Sequence, residues 1–116
     1  MSPMSCLFCL IVEGKIPASK VYEDDQLLAF NDIHPQAPMH VLVVPKAHIA
    51  TINDLEPEHE ALVGAMMRRA AAIAKDRGFG GTGYRTVVNC NAHAGQTVFH
   101  LHMHVLGGRV LAWPPG

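Results

Sequence analysis

An excess of charge of either sign and any long hydrophobic run are both missing from this chain of 116 residues. Ten acidic residues against nine Lys and Arg leave a net charge of −1, so neither a basic nucleic-acid groove nor an acidic tail is indicated. The apolar stretch in MSPMSCLFCLIVEG is short, lacks a basic segment before it and includes Glu13. It favours a core helix over a signal peptide or a membrane span. We therefore expect no nucleic-acid and no membrane partner.

Cysteine is scarce as well. Cys6, Cys9 and Cys90 make an odd count without the spacing of a small secreted scaffold, which favours a reducing cytosol. With 49% apolar residues the composition is that of a globular protein. The length fits one domain over residues 1–116, and a chain this small and apolar would benefit from a partner subunit.

The order of the predicted elements is that of an α+β protein with an antiparallel sheet. We expect five strands and two helices: strands at 19–23, 26–31, 40–45, 84–90 and 99–106, and helices at 5–14 and 56–78. An apolar stripe at helical spacing, Leu62, Met66, Ala70 and Ile73, predicts that the long helix packs on the sheet. FGGTG, residues 79–83, follows a helix and precedes a strand, which is the wrong context for a phosphate-binding loop.

Histidine is the residue type in excess, with eight in the chain. Three of them alternate with apolar residues in HLHMHVLG, residues 100–107. Side chains of a strand alternate between its faces, so we expect His100, His102 and His104 on one face, about 7 Å apart, and Leu101 and Met103 on the other. Three imidazoles in register argue against a solvated face that carries histidine by chance.

Two kinds of chemistry suit such a face. Imidazole is the commonest metal ligand, so a metal site is one interpretation. A neutral imidazole is also a competent nucleophile when its other nitrogen is fixed by a main-chain carbonyl, so covalent catalysis is the other. The residues alone leave both open.

The same stretch, H-L-H-M-H-V-L, resembles the signature of the histidine triad (HIT) family, in which three histidines alternate with apolar residues. Three longer segments resemble the HINT branch (histidine triad nucleotide-binding proteins) in its bacterial form. They are residues 6–38, HVLVVPKAHI at 40–49, and NAHAGQTVFHLHMHVLGGRVLAWPPG at 91–116. The resemblance implies a HIT-like fold with an antiparallel sheet of about five strands, continued across a homodimer.

The resemblance also implies an activity, hydrolysis of purine nucleoside 5′-phosphoramidates at the α-phosphorus. His102 would attack the phosphorus and displace an amine, and water would release AMP or GMP from the nucleotidyl-histidine. His104 would hydrogen-bond the phosphate or the leaving group, and His40 would support the triad. His100 completes the set of catalytic histidines.

A nucleotide-binding site follows from the resemblance too. FNDI at 30–33 resembles the nucleoside pocket, with Asp32 on the ribose diol. The base would be enclosed by apolar side chains, namely Phe8, Phe30 and Ile33. The phosphate would meet Asn89 and the loop before the triad, namely Gly95, Gln96, Thr97 and Val98. Trp113 in the tail would lie near the active site of the dimer partner. Without the resemblance, AGQT is an ordinary turn, and Phe8 and Phe30 are ordinary core residues.

Cys6 and Cys9 have the spacing of zinc ligands, but no second CxxC follows, so the pair alone is a weak signal. Some bacterial relatives hold a structural zinc with this pair, a histidine in the P-K-x-H segment and the first histidine of the triad. Those positions here add His48 and His100. Such a zinc would not be required for catalysis, and it would take the His100 side chain away from acid–base work.

Three other functions remain in competition. One is a nucleotide-binding or regulatory scaffold with incidental hydrolysis, which would not need an intact nucleophile at His102. Another is a dinucleoside polyphosphate hydrolase or a nucleotidyl transferase. For a transferase of the galactose-phosphate type we would expect Gln in place of the third histidine, and the GGR…WPPG ending favours the HINT branch. The last is a three-histidine metalloenzyme, which a chelator would inactivate.

Overall fold

The structure is a computed structural model that describes residues 5–116. Two helices and five strands follow one another along the chain: α1 (Leu7–Val12), β1 (Lys20–Glu23), β2 (Leu27–Asn31), β3 (Met39–Pro45), α2 (Glu60–Asp76), β4 (Tyr84–Val87) and β5 (Met103–Gly107). The strands form one sheet in the order β1-β2-β3-β5-β4, and every pairing is antiparallel. The predicted α+β architecture is confirmed.

Strand β3 is the centre of the sheet, and all seven of its residues are buried. Its run of β-branched residues suits a strand that is covered on both faces. Met39, Val41 and Val43 belong to the core cluster under α2. Leu42 and Val44 belong to a second cluster that includes Phe8 and other residues of α1. The imidazole of His40 therefore points to the α1 side of the sheet.

Helix α2 covers the opposite face, as its apolar stripe predicted. Met66, Ala70 and Ile73 are buried, and Leu62 packs at the edge of the same cluster. The helix is 17 residues long, and no helix within residues 5–116 is long and apolar enough to cross a membrane.

Both helices are shorter than predicted. Residues 57–59 form a 3₁₀ turn that starts at Pro57, and α2 begins only at Glu60. Helix α1 covers Leu7–Val12 of the predicted 5–14, and its N-cap is Cys6, whose Sγ accepts the N–H of Cys9 at 3.4 Å. Gly14 follows the C-cap Glu13 with a φ of +77°, the left-handed conformation in which a glycine commonly ends a helix.

The histidine strand is also shorter than predicted. Strand β5 begins at Met103, so His100 and His102 lie before it rather than in it. The cause lies in the partner strand: the ladder ends with Val43 opposite Met103, and the next pairing residue, Pro45, has no N–H to donate. The N–H of Leu101 bonds instead to the carbonyl of Ile49, at 2.6 Å. Strand β4 correspondingly ends at Val87 rather than at residue 90.

The turn after β5 contains a position, Gly108, where only glycine fits. Gly108 has a φ of +95°, and a Cβ there would lie 2.8 Å from the Cβ of Pro38. We expect Gly108→Ala to lower the free energy of unfolding by about 2–4 kcal/mol, because left-handed strain and overpacking add. Chemical denaturation measures this loss. Gly81→Ala is the control, since nothing lies within 4 Å of its Cβ position. Equal stabilities of the two variants would contradict the packing described.

Candidate active site

Four imidazoles gather on the α1 side of the sheet. His100 is completely buried, His102 is 8% exposed and His40 is 6% exposed. The ring centroids of His102 and His104 are 5.1 Å apart, and those of His104 and His40 are also 5.1 Å apart. Leu101 and the other intervening apolar residues face the α2 core. The alternation predicted for the triad is therefore present, although the rings of His102 and His104 are closer together than the expected 7 Å.

The imidazole of His102 is held by the main chain beside it. Its Nδ1 lies 2.7 Å from the carbonyl oxygen of His100. A carbonyl only accepts hydrogen bonds, so Nδ1 carries the proton and Nε2 keeps a free lone pair. Burial lowers the pKa of His102 below its ordinary value. At neutral pH this ring is thus a neutral imidazole with its lone pair on Nε2, the form that acts as a nucleophile.

The proton on His104 is placed by a longer chain of bonds. The main-chain N–H of Gln36 donates to Nδ1 of His40 at 3.0 Å, so the proton of the His40 ring is on Nε2. That Nε2 lies 2.8 Å from Nδ1 of His104 and donates to it. His104 must then carry its own proton on Nε2. Burial, with His102 and His40 nearby, lowers the pKa of His104 to about 4, so the ring is neutral at pH 7.

His102 and His104 therefore have complementary states. One ring offers a lone pair on Nε2 and the next offers an N–H on Nε2, and both are uncharged. An electrophilic centre with a negatively charged oxygen would meet an attacking nitrogen on one side and a hydrogen-bond donor on the other. This arrangement needs no metal to present either group.

Asp32 borders this cluster. Its Oδ1 accepts the N–H of His34 at 2.8 Å, and its Oδ2 lies 3.4 Å from Nε2 of His40. The side chain is 19% exposed, so it is accessible to a ligand. The carboxylate retains free lone pairs that can accept hydrogen bonds from a diol.

The three apolar residues predicted to enclose a base do not lie alike. Phe8 and Phe30 are each 4% exposed and pack edge to face, with their ring centroids 5.5 Å apart, inside the second core cluster. The ring of Phe8 also contacts that of His102, at 5.1 Å. Ile33, in contrast, is 86% exposed. Of these three residues, Ile33 is the one that offers a broad apolar surface to a ligand, and the two phenylalanines support the cluster from below.

The loop before the triad combines buried and exposed groups. The Gln96 amide receives the N–H of Asn91 at 2.8 Å and donates to the carbonyls of Ala50 at 2.9 Å and Val98 at 3.1 Å. Both of its N–H bonds are used, which argues against the predicted contact of this side chain with phosphate. Gln96 braces the loop instead.

The rest of the loop remains available to an anion. Gly95 takes a left-handed φ of +87° that turns the chain. Thr97 is exposed, Val98 and Asn89 are partly buried, and within residues 5–116 the main-chain N–H groups of Thr97 and Val98 have no protein acceptor.

A second group of ligating atoms adjoins the first. The Nδ1 atom of His100 lies 3.4 Å from Sγ of Cys6 and 3.5 Å from Sγ of Cys9. The Sγ of Cys9 lies 3.2 Å from Nδ1 of His48. The four predicted zinc ligands thus come together, all within 4.8 Å of one another. Tetrahedral bonds to zinc would place sulfur and nitrogen roughly 3.6 Å apart, close to these distances.

The tautomer of His100 directs a lone pair at the two thiols. Nε2 of His100 donates to the carbonyl of Pro45 at 2.7 Å, which leaves a lone pair on Nδ1 facing the thiols. Burial and the adjacent Cys6 raise the pKa of Cys9 to about 11. A thiolate here therefore needs a metal ion to stabilise it. Both nitrogens of His100 are occupied in this arrangement, so its side chain is not available for acid–base chemistry.

A third group, Asp32, His40 and His104, also has its ligand atoms within 4.8 Å of one another. Here the protonation argues against a metal. Nε2 of His40 carries a proton that points at the group, and freeing it would require Nδ1 to give up the N–H of Gln36. These bonds disfavour a metal ion at Asp32, His40 and His104. The metalloenzyme interpretation concerns the three histidines of the triad, and within residues 5–116 their ligand atoms do not form a group of this kind.

The C-terminal tail is tied to the domain by two arginines. Nη2 of Arg85 donates to the carbonyl of Ala112 at 2.9 Å, and Nε of Arg109 donates to the carbonyl of Gln36 at 3.0 Å. Trp113 is 82% exposed in the single chain. Sequence reasoning missed both Gln36 and Arg109. Gln36 acts through its main-chain N–H and carbonyl, and the Arg109 side chain binds that carbonyl, so no motif marks either residue.

Comparisons with known proteins agree on one family. A model described as "scavenger mRNA decapping enzyme C-term binding" matches residues 5–110. The purine nucleoside phosphoramidase of Escherichia coli is 49% identical over 105 residues, which cover 90% of this chain and 88% of that protein. The crystal structure of a HIT family hydrolase from Legionella pneumophila superimposes with a TM-score of 0.95 at 51% identity, covering 97% of this chain and all of that one.

A zinc-bound histidine triad family protein from Mycobacterium smegmatis is also similar, with a TM-score of 0.80 at 41% identity. The match covers 93% of this chain and 78% of that one.

Because the buried histidines are neutral, we expect the fold to lose stability in acid. The folded pKa of His104 is near 4 against an ordinary value of 6.5, so the unfolded chain binds more protons between these values. The free energy of unfolding should fall as pH drops through this window, by up to about 1.4 kcal/mol per pH unit for this proton. We expect His104→Gln to flatten the slope measured by denaturation between about pH 7 and pH 5. His93→Gln, which removes an exposed histidine, should leave the slope unchanged. An unaltered slope in His104→Gln would contradict the buried neutral ring.

Proposed function

The chain belongs to the histidine triad family, and we propose that it is a purine nucleoside 5′-phosphoramidate hydrolase of the HINT branch. The observation that carries the proposal is the pair of neutral rings, with a lone pair on Nε2 of His102 beside an N–H on Nε2 of His104. The 49% identity to the E. coli purine nucleoside phosphoramidase supports the substrate class. AMP and GMP are the products we propose.

The first step is attack by Nε2 of His102 on the α-phosphorus. A bond forms between Nε2 and phosphorus while the bond from phosphorus to the amine breaks. The leaving nitrogen takes a proton from solvent, and the ring becomes a nucleotidyl imidazolium that keeps its Nδ1 proton on the carbonyl of His100. Because that carbonyl is the negative end of a dipole, it stabilises the positive ring as it forms.

His104 acts on the phosphate oxygens. A neutral imidazole gives up a full proton with difficulty but donates a good hydrogen bond, so its Nε2–H stabilises the negative charge that builds on oxygen. The exposed hydroxyl and N–H of Thr97, together with the N–H of Val98, extend this donor set. Asp32 accepts from the ribose hydroxyls, and Ile33 covers the base.

The second step returns the enzyme to its starting state. Water adds to phosphorus, the bond from Nε2 to phosphorus breaks, and one proton of the water passes to solvent. His102 recovers its lone pair because its Nδ1 proton never left the carbonyl of His100. The product is the nucleoside monophosphate.

Zinc, in this proposal, is structural. Cys6, Cys9, His48 and His100 would hold it, and their donor set fits a closed tetrahedral site with no open position for a substrate. The ion would tie the N-cap of α1 to the segment that precedes β5. It would take no part in the chemistry at phosphorus.

We propose that the whole chain, residues 1–116, acts as one domain in a cytoplasmic homodimer. Strand β4 is an edge of the sheet, and a second copy pairing there would continue the sheet and cover the edge. Met67 and Tyr84 leave 50% and 36% of their surface exposed, which a partner would bury. Trp113 would then approach the partner's site.

The proposal predicts which change abolishes turnover. We expect His102→Ala to lower the kcat for adenosine 5′-phosphoramidate by at least about 10⁴-fold, since the covalent route is lost. Wild type should keep its activity over short exposure to a strong chelator, and His93→Ala is the matched control for removal of an imidazole. Activity lost to the chelator within that time would favour a metalloenzyme. Nucleotide binding without turnover would favour the scaffold.

The metal site predicts a separate set of outcomes. Purified protein should contain about one zinc per chain by elemental analysis, and Cys9→Ser should lose most of it. The melting temperature should fall when zinc is removed, because a closed structural site contributes directly to folding. Cys90→Ser is the control, since Cys90 lies outside the ligand group. Full zinc content in Cys9→Ser would refute the site.

A further inference from the structure

We propose that Arg109 is a positioning residue that fixes the proton of His104 through Gln36 and His40. This inference rests on the proposed function for its kinetic consequence, but its structural part stands on hydrogen bonds alone. Nε of Arg109 donates to the carbonyl of Gln36 at 3.0 Å, and the N–H of Gln36 donates to Nδ1 of His40 at 3.0 Å. His40 in turn bonds to His104. The tail is thereby connected to the reacting face of the site.

The direction of the bonds in this chain is set by the hydrogen bond from the N–H of Gln36 to Nδ1 of His40. The Oδ2 atom of Asp32, 3.4 Å from Nε2 of His40, favours the same position of the proton but makes no contact with Nδ1 that could replace that bond. As long as that N–H occupies Nδ1 of His40, the His40 proton is on Nε2 and points to His104. If the N–H moves away, water can reach Nδ1 and the proton of His40 can settle there. Nε2 of His40 then accepts, His104 must donate from Nδ1, and its Nε2 no longer offers an N–H to the phosphate.

The segment that carries Gln36 has few other anchors. Pro35 and Pro38 lack N–H groups, and the Gln36 side chain bonds only to the nearby carbonyl of His34, at 3.0 Å. This segment is held from outside at two adjacent points. Gly108 packs against Pro38, and Arg109 takes the carbonyl of Gln36. The turn of the tail thus determines where the Gln36 peptide lies.

Arg109 is itself oriented by a second bond, from Nη1 to the carbonyl of Val110 at 3.1 Å. Arg85 provides a natural comparison. It also binds tail carbonyls, those of Leu111 at 3.4 Å and Ala112 at 2.9 Å, but within residues 5–116 it makes no hydrogen bond to Gln36. Loss of Arg85 loosens the tail without removing the bond to the loop. Comparing variants of the two arginines therefore distinguishes an effect on the position of the His104 proton from an effect on the attachment of the tail.

The test compares Arg109→Met, Arg109→Lys and Arg85→Met with wild type. Two quantities are measured at pH 7: kcat and KM for adenosine 5′-phosphoramidate, and the tautomer of His104 from ¹⁵N–¹H correlations of the imidazole. We expect Arg109→Met to lower kcat roughly tenfold, part of the loss seen when an oxyanion donor is removed, with little change in KM. Its His104 should show a population protonated at Nδ1. Arg109→Lys should recover part of kcat, and Arg85→Met should keep the wild-type tautomer.

Two results would overturn the proposal. One is a wild-type tautomer of His104 in Arg109→Met. The other is an equal loss of kcat in Arg85→Met, which would mean that any loosening of the tail has the same effect. If wild type fails to hydrolyse the phosphoramidate, the proposed function is wrong, while the tautomer of His104 in Arg109→Met still decides the role of Arg109.

Discussion

The hydrogen bond from Nδ1 of His102 to the carbonyl of His100 is the interaction on which the site depends. This bond gives the His102 ring a single tautomer, in which Nε2 has a lone pair free for attack. The carbonyl is held in turn because the side chain of the same residue is fixed at both nitrogens, by Pro45 on one side and by the two thiols on the other. His100 thus connects three parts of the site: the end of the central strand at Pro45, the candidate metal ligands, and the nucleophile.

Burial of the imidazoles then determines their charge. His40, His100, His102 and His104 all have a lowered pKa because they are removed from water. A neutral ring has one donor and one acceptor nitrogen, so the hydrogen-bond partners around the ring determine which nitrogen carries the proton. Main-chain groups make most of these selections: the carbonyls of His100 and Pro45 and the N–H of Gln36. A rigid backbone therefore prepares both the lone pair of His102 and the hydrogen-bond donor of His104.

The features that could be predicted from the sequence are those that depend on residue type and on the spacing of apolar residues along a helix or strand. The stripe on α2 and the alternation of the triad place side chains on faces, and the structure has them there. The four candidate metal ligands were found only because a family resemblance joined distant positions. The start of β5 could not be predicted from its own residues, because it depends on the missing N–H of Pro45 in the partner strand. The bonds from the Gln96 amide to the carbonyls of Ala50 and Val98 could not be predicted for a related reason, since they depend on backbone that the fold brings to it. Arg109 has no signal in the sequence, as its acceptor is a carbonyl that every residue possesses.

The nucleophilic role of His102 can be tested by determining the tautomer of its imidazole in the wild-type protein at neutral pH, from ¹⁵N–¹H correlations of the ring. We expect a neutral ring protonated at Nδ1, with Nε2 showing the chemical shift of an unprotonated nitrogen. A ring protonated at Nε2, or a positively charged ring, would have no lone pair aimed at phosphorus. Either result would contradict the nucleophilic role of His102.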